Sequence, residues 1–300
     1  MRAALLTSFS FLTILLGATE ISDPSTPNFH TSLFPLEGKF TLAFDDFRSL
    51  PEGSWEGNMG AFTSLYFKAD LTHTLFLHFG GSYGLYDWMG RSSTSFENSS
   101  GLQQQGFLTG ALSRETDCNS GFNLGLSYDA MLNVNFGEFA VNPYLSQVRL
   151  QTGYSIQGNE IGIWGTIFTN NALKESQQIP FQFRAISQAN LFYCHYFKNT
   201  GYAMIWAGMP YIRSLMYTTG LPGTFIVGAR LSAPLTDYLS INGHAAYMGA
   251  RNKNGYPSNN YSSNVCIALT YTFGKRQKQL TPYMSLADNT NFLVDTNQNQ

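Results

Sequence analysis

The chain has 300 residues, of which 12% are charged and 15% aromatic, and its formal net charge is −2. Soluble domains typically carry about 25% charged residues, and a chain this close to neutral gives no support for nucleic-acid binding. The mean hydropathy is −0.13, and beyond the amino terminus no stretch approaches the roughly 20 apolar residues of a membrane-spanning helix. These values exclude a helical membrane protein and are unusual for a soluble domain.

The amino terminus has the features of a secretory signal peptide. Arg2 precedes an apolar run that ends at Leu16, and small residues follow this run. The run is shorter than the roughly 18 to 20 residues that span a bilayer. We therefore predict a signal peptide over 1–20 and, because the next residues are rich in Pro and Thr, a short tether over 21–35.

Apolar and polar residues alternate through most of the remaining chain with the period of two that is typical of β-strands. The clearest run extends from Gly121 to Asn133. The runs are long enough for tilted strands that cross a membrane, and they exceed the roughly five or six residues common in globular sheets. We predict about twelve strands, at 38–48, 57–68, 73–86, 105–113, 121–133, 143–156, 159–169, 181–198, 201–209, 223–233, 238–249 and 261–273.

A tight turn at Gln157-Gly158 is predicted between two of these strands. With that turn, Tyr154 faces Ile161, so the apolar side chains of both strands share one face. A soluble sandwich buries such a face in a core, whereas an outer-membrane barrel turns it to lipid. The residues expected on the outer face here and on the neighbouring strand are Leu124, Leu126, Tyr128, Leu150, Tyr154, Ile161 and Ile163.

Charged side chains within the strands all have the parity opposite to the apolar residues. A charge on a lipid face costs about 2 to 4 kcal/mol at the bilayer midplane, so a barrel must direct it inward. Lys68 and three arginines outnumber Asp45, Asp129 and Glu160, which predicts a mild preference for anions. The residues expected to line the lumen, with possible solute contacts, are Lys68, Asp129, Gln147, Arg149, Gln151, Glu160, Trp164, Arg184, Arg230 and His244.

The connections alternate between short and long. Outer-membrane barrels have short periplasmic turns and long outer loops. We therefore predict that both barrel termini are periplasmic and that the loops near 87–104 and 210–222 are extracellular. The turns at 199–200 and 234–237 are then periplasmic.

The last predicted strand ends at Phe273 and resembles the assembly signal of bacterial outer-membrane proteins. Such signals usually occupy the very carboxyl terminus, but here residues 275–300 follow. These residues are rich in Asn and Gln and have no sustained pattern, so they are interpreted as a polar tail. The expected partners of the barrel are outer-membrane lipid and the barrel-assembly machinery.

No metal site or cofactor is expected. Cys118, Cys194 and Cys266 are widely spaced and include no C-x-x-C pair. Aromatic belts at the membrane interface account for two clusters without a ligand. These clusters are Tyr83, Tyr86 and Trp88, and Tyr193, Tyr196 and Phe197. Trp164 could stack a sugar, but simple filling of the lumen is the favoured interpretation.

Catalysis is the weaker alternative for the polar residues. Phospholipase-like barrels use a His and a Ser at the membrane boundary, and the candidates here, His244 with Ser240 or His195, lie in no motif that resembles that family. Asp129 and Glu160 are possible acid–base residues, although pairing with arginines is favoured. We therefore expect no catalytic residues.

Several short segments form a recognisable set, and together they cover most of the chain from about 55 to 250. They are WEGNMG at 55–60, GSYGLYDW at 81–88, QVRLQTGY at 147–154, EIGIW at 160–164, NLFY at 190–193, WAG at 206–208 and PLTD at 234–237. The set resembles an uncharacterised bacterial family, known mainly from planctomycetal and chlamydial genomes, that carries a domain of unknown function. Its members are predicted outer-membrane barrels, so the resemblance implies a location and a fold but no activity.

The sequence thus predicts one all-β domain over 36–274, an up-and-down transmembrane barrel of the outer membrane. About twelve strands leave a lumen narrower than that of 16- to 18-stranded porins. The leading hypothesis is a narrow pore for small polar solutes or a structural surface protein. The alternatives are a loop-presenting adhesin or interaction protein with a plugged lumen and, third, an outer-membrane hydrolase.

Overall fold

The computed structural model describes residues 36–49, 57–86, 102–116, 120–137, 140–176, 178–198, 201–215, 220–250, 261–274 and 283–297. The predicted signal peptide and tether lie outside these residues, as do Cys118 and Trp88. Within the described ranges there is no helix long and apolar enough to cross a bilayer.

The regular structure of the described residues consists of strands, which we number in chain order. They are β1 (Leu36–Ser49), β2 (Gly57–Asp70), β3 (Leu75–Tyr86), β4 (Gln103–Arg114), β5 (Ser120–Val134), β6 (Tyr144–Ile156), β7 (Asn159–Phe168), β8 (Ala172–Ser176), β9 (Ile179–Ala185), β10 (Gln188–Tyr196), β11 (Tyr202–Pro210), β12 (Ile226–Pro234), β13 (Leu239–Met248), β14 (Ser262–Gly274) and β15 (Val294–Thr296).

Twelve of these strands close into an antiparallel barrel, in the order β1-β14-β13-β12-β11-β10-β7-β6-β5-β4-β3-β2. Barrel strands that follow each other in the chain are neighbours, and β14 pairs with β1 to complete the ring. This confirms the predicted up-and-down barrel. The predicted turn is also confirmed, because Gln157 and Gly158 have φ values of 49° and 78°, as a two-residue hairpin turn requires. Tyr154 pairs with Ile161 across that turn.

Side-chain exposure alternates along the barrel strands because successive residues point to opposite sides of a sheet. All seven residues expected on the outer face of β5, β6 and β7 are at least 41% exposed. Of the polar residues expected to line the lumen there, four are at most 3% exposed, namely Asp129, Gln147, Arg149 and Glu160, and Gln151 is half-buried. The outer surface of the barrel is therefore apolar and the inner surface polar.

The two ends of the barrel have different connections. At the end that we call the short-turn end, the connections are 71–74, 115–119, 157–158, 197–201 and 235–238. At the long-loop end they are 50–56, 87–102, 135–143, 169–187, 211–225 and 249–261. Because Glu37 pairs with Gly274, β1 begins and β14 ends at the short-turn end.

Exposed aromatic residues form a belt near each end. The belt near the long-loop end contains Tyr83, Tyr144, Tyr211, Phe225 and Tyr247, and the belt near the short-turn end contains Phe122, Tyr154, Tyr193, Phe197, Tyr238 and Tyr271. Tyr86 and Tyr196 were also expected in these belts, and that prediction was wrong. Their hydroxyl groups bind Asp45 and Glu160 inside the barrel. Each lies three residues from an outward tyrosine, and an odd separation along a strand reverses the direction of the side chain.

The connection from β7 to β10 contains β8 and β9, which form a three-stranded sheet with β15. The prediction of one strand over 181–198 was therefore wrong. In such a strand, Phe181 and Phe183 would share the outward direction of Leu191, but they are 3% and 0% exposed. They pack instead on inward-facing residues of the wall near the long-loop end, which include Phe107, Met131 and Leu145.

Candidate functional site

The carboxyl-terminal segment 283–297 lies inside the barrel. The Tyr283 hydroxyl donates to the carbonyl of Asn123 at 3.3 Å, close to the start of β5 at the short-turn end. The carbonyl of Asn291 accepts from Gln147 Nε2 at 3.1 Å, close to the start of β6 at the long-loop end. The segment therefore runs through the lumen from the short-turn end towards the long-loop end.

A glycine in the wall makes room for the first part of the segment. Met284 is 1% exposed, and it packs with Ala111 and Tyr283. A Cβ at Gly125 would lie 2.3 Å from the Met284 Sδ, well inside van der Waals contact. A side chain at this position on β5 would therefore require Met284 to shift.

Two arginines of the wall hold the middle of the segment. Arg149 binds Asp129 with Nε and Nη2, both at 3.1 Å. The same guanidinium donates to the Ser285 hydroxyl at 3.1 Å and to its carbonyl at 2.6 Å. Arg230 Nη2 donates to Asp288 Oδ2 at 2.8 Å. Hydrogen bonds between charged groups are the strong ones, so these contacts tie the segment to β6 and β12.

The residue after Asp288 reaches the opposite part of the wall. The Asn289 amide nitrogen lies 2.8 Å from Asp45 Oδ2, 2.9 Å from Gln105 Oε1 and 3.3 Å from the Tyr86 hydroxyl. These partners belong to β1, β4 and β3. Asp288 and Asn289 therefore span the lumen from β12 to β4, which lie on opposite sides of the ring.

The last part of the segment joins the sheet at the long-loop end. β15 pairs with β9 over Phe183 to Ala185. Asp295 accepts hydrogen bonds from Arg184 Nη2 at 3.1 Å and from the Ser214 hydroxyl at 2.9 Å. Phe292 is 1% exposed and packs against Phe107 with a centroid distance of 5.8 Å. The lumen at this end is thus filled by sheet and apolar side chains.

The charges inside the barrel do not show the expected basic excess. Besides Asp45, Asp129 and Glu160, the described interior contains Glu37, Glu115, Asp288 and Asp295, whereas the only further Lys or Arg there is Lys39. The sequence count missed these acids because Glu37 precedes a predicted strand, Glu115 follows one, and the two aspartates belong to the carboxyl-terminal segment. Acidic residues therefore outnumber Lys and Arg, and without the two aspartates of the segment the two sets are equal in number. The predicted anion preference loses its basis in either case.

A further ion pair lies near the short-turn end. Lys68 Nζ lies 2.6 Å from Glu115 Oε2, and His78 Nε2 lies 3.4 Å from the other carboxylate oxygen. His78 also contacts the hydroxyl groups of Ser113 and Tyr66, both at 2.5 Å. Burial alone would raise the pKa of Glu115, but the hydrogen bond with His78 and the charge of Lys68 outweigh it and hold the pKa at about 2.

Aromatic side chains fill the lumen beside β7, β10 and β11. Trp164 lies edge-to-face with Trp206, with a centroid distance of 6.0 Å, and both pack with Phe192. Trp164 is 6% exposed, so its ring presents no open face to a sugar. A cavity of about 50 Å³ remains between this cluster, Gln151 and the carboxyl-terminal segment.

The possible catalytic residues do not assemble into a reactive pair. The Ser240 hydroxyl accepts from Asn242 at 3.2 Å, and among the described residues His244 Nε2 has no hydrogen-bond partner. His195 Nδ1 lies 2.8 Å from Asn159 Oδ1. The contact between His78 and Ser113 has hydrogen-bond geometry, but both side chains are 1% exposed and belong to the ion-pair network.

Of the ten residues expected to line the lumen, nine lie on barrel strands and one, Arg184, lies on β9. All ten have buried or half-buried side chains, and contact with a solute remains a prediction for them. The residues that sequence reasoning missed are Asn289, Asp288 and Asp295 of the segment. Nothing in their spacing distinguishes them from a polar tail.

Solved structures of other barrels are similar to this chain. An outer membrane channel from Pseudomonas putida F1 has a TM-score of 0.50 and 11% identity, and the match covers 85% of this chain and 100% of that one. Outer membrane phospholipase A from Escherichia coli has a TM-score of 0.44 and 9% identity, with 78% and 95% covered. The translocator domain of autotransporter NalP from Neisseria meningitidis has a TM-score of 0.42 and 10% identity, with 90% and 95% covered. At these identities the channel from Pseudomonas shares the fold alone.

No curated protein sequence matches this chain. A family model, described as a family of unknown function (DUF6666), matches residues 39–294. The match includes the barrel strands and most of the segment in the lumen. The chain therefore belongs to the DUF6666 family of unknown function.

Proposed function

We propose that this protein is an outer-membrane barrel that its own carboxyl-terminal segment closes, and that small polar solutes pass only when this segment leaves the lumen. The observation that carries the proposal is the course of residues 283–297 through the barrel. In the described structure, the segment leaves cavities of about 50 Å³ and 150 Å³ beside it. A hydrated solute needs a continuous path, and separate cavities of this size do not provide one. The form with the segment in the lumen is therefore the closed resting state of the proposed pore.

The outer surface supports a location in a membrane. It is apolar between two aromatic belts, as the outer surface of a membrane barrel is. The sequence adds a signal peptide over 1–20, and such a peptide directs export. Surrounding lipid and the barrel-assembly machinery are the proposed partners.

The inner wall supports a pore in the open state. Once the segment has left, the wall would present Arg149, Arg230, Gln147 and their neighbours to water. Twelve strands give a narrower lumen than that of porins with 16 to 18 strands, so only small polar solutes would pass.

The experiment is a conductance measurement on refolded protein in planar bilayers. The unaltered protein should give no steps. The variant Asp288→Lys/Asp295→Lys opposes Arg230 and Arg184 with like charges, so it should expel the segment and give small conductance steps. As a control, Asp237→Lys changes an exposed turn at the short-turn end and should stay silent.

A second candidate function is a closed barrel that displays its long-loop end at the cell surface. The three-stranded sheet of β8, β9 and β15 favours this role, because it gives that end a folded core. If the variant loses protection of its β15 amides but never conducts, this candidate replaces the pore. An epitope inserted at Ser95, which lies outside the described residues, tests the location, since it should be detected on intact cells.

A further inference from the structure

Three potential metal ligands meet on the inner wall next to the seam where β14 closes the ring. Cys266 on β14 pairs with Asp45 on β1 and with His244 on β13. All three side chains point inward from adjacent strands. One ligand atom from each residue lies within 4.8 Å of the other two.

Asp45 differs from most carboxylates in the lumen, because it has no lysine or arginine partner among the described residues. Asp129, Asp288, Asp295 and Glu115 each bind an arginine or a lysine. Asp45 is 2% exposed and accepts only from neutral donors, which are the Tyr86 hydroxyl at 2.9 Å and the amides of Asn264 at 2.6 Å and Asn289 at 2.8 Å. A buried carboxylate without a counter-charge is costly.

His244 and Cys266 each have an atom that can coordinate a metal ion. His244 Nε2 is enclosed but has no hydrogen-bond partner in the described structure. Cys266 is 2% exposed and is a free cysteine in the part of the chain that the structure describes. The hydrogen bonds to Asp45 fix the orientation of its carboxylate, as the outer shell of a metal site does. One cation would satisfy the charge of Asp45 and the nitrogen of His244 together.

We propose that Asp45, His244 and Cys266 bind a divalent cation of the zinc class. Thiolate and imidazole ligands suit zinc, whereas calcium and magnesium prefer oxygen ligands alone. On binding, the Cys266 thiol releases its proton to solvent and the thiolate sulfur coordinates the ion. Three protein ligands leave a fourth position of the tetrahedron for water. His244 borders a cavity of about 150 Å³ that can hold this water.

The site would join three strands at the closing seam and would lie beside the segment in the lumen. Asn289 already donates to Asp45, so a bound cation and this amide share one carboxylate. The proposal does not rest on the function proposed above, because the ligands belong to the wall.

The chain contains a matched control cluster. Cys194 on β10 pairs with Glu160 on β7, and both side chains are buried. Their surroundings therefore resemble those of Cys266 and Asp45, but among the described residues no third potential ligand lies close enough to these two to share a metal ion with them. Cys194→Ser should leave metal binding intact, and Cys266→Ser should abolish it.

The experiment titrates the refolded full chain with cobalt(II) and then with zinc. Cobalt should produce the near-ultraviolet absorption of a thiolate-to-cobalt bond, and zinc should remove it by displacing cobalt. The band should persist in Cys194→Ser and vanish in Cys266→Ser. Asn264→Ala, which frees the Asp45 carboxylate, should weaken zinc binding about 10- to 100-fold.

Circular dichroism of each variant shows whether the barrel has formed. If Cys266→Ser does not fold, His244→Gln provides the second test, and it too should lose the band. A band that survives both Cys266→Ser and His244→Gln overturns the proposal. So does a folded protein that binds neither metal.

Discussion

Strand β14 and the segment 283–297 follow each other in the chain but lie in different surroundings. On β14, exposed Val265, Ile267 and Leu269 alternate with buried residues, because the strand has one apolar and one polar side. In the segment, ten of the fourteen residues from Tyr283 to Thr296 are buried, and polar and apolar ones occur without a period. The wall of the barrel surrounds the segment on all sides, so no single face of it is exposed.

Alternation of apolar and polar residues therefore indicates that a strand has two different environments on its two sides, and not whether a segment is ordered. A segment without alternation can still be held by ion pairs, hydrogen bonds and apolar packing. Three changes test how strongly the interior is held relative to the exterior.

The largest expected effect is that of removing a buried arginine side chain. Arg149→Met leaves Asp129 without its partner and removes both bonds to Ser285, so it should cost about 3 to 5 kcal/mol of unfolding free energy. Arg48→Met is the control, because Arg48 is 53% exposed in its pair with Asp46 and should contribute about 0 to 1 kcal/mol. Urea unfolding in lipid vesicles measures both. Equal losses of unfolding free energy in the two variants would show that the buried ion pair stabilises the protein no more than the exposed one does.

The next effect is a dependence on pH that comes from Glu115. Its pKa is lowered from 4.5 to about 2, so its contribution is complete above about pH 4.5 and is lost as the pH falls through 2. The difference corresponds to roughly 3 kcal/mol. Glu115→Gln should reduce the dependence of the unfolding free energy on pH in this window. Glu175→Gln, at an exposed position on β8, should leave that dependence unchanged. An unchanged curve in Glu115→Gln would contradict the assignment.

The smallest effect compares two glycines of the wall. Gly125→Ala pushes against Met284 and should cost about 1 to 3 kcal/mol. At Gly110, a Cβ would meet nothing within 4 Å, so Gly110→Ala should be neutral or stabilising by up to about 1 kcal/mol. Amide hydrogen exchange in β15 should become faster only in the first variant. Equal exchange in both would place the segment elsewhere.

The strands of the barrel wall could be predicted from the sequence because residues that face lipid are apolar and residues that face the lumen are polar, and the two kinds alternate along each strand. The sequence therefore placed the turn at Gln157 and the direction of Arg149 correctly. It failed over 181–198, where β9 also has a period of two and nothing in the residues marks the break before β10. There the alternation reflects packing inside the barrel.

Contacts between residues far apart in the chain could not be predicted from the sequence for a different reason. Asp45 and His244 are about 200 residues apart, and only the closing of the ring through Cys266 brings them together. Likewise, Asp288 finds Arg230 only because the chain turns back into its own barrel. Such contacts depend on register and topology, which local patterns do not encode.

The course of the segment limits what can be attached to this protein. β14 ends at the short-turn end, whereas β15 lies at the long-loop end, so the chain passes through a ring closed by main-chain hydrogen bonds. A folded domain fused after Gln300 is too wide for a lumen of twelve strands, and it would keep the segment out or stop the ring from closing. A short unstructured peptide can pass. Fusion size at this terminus therefore selects which form of the protein is purified.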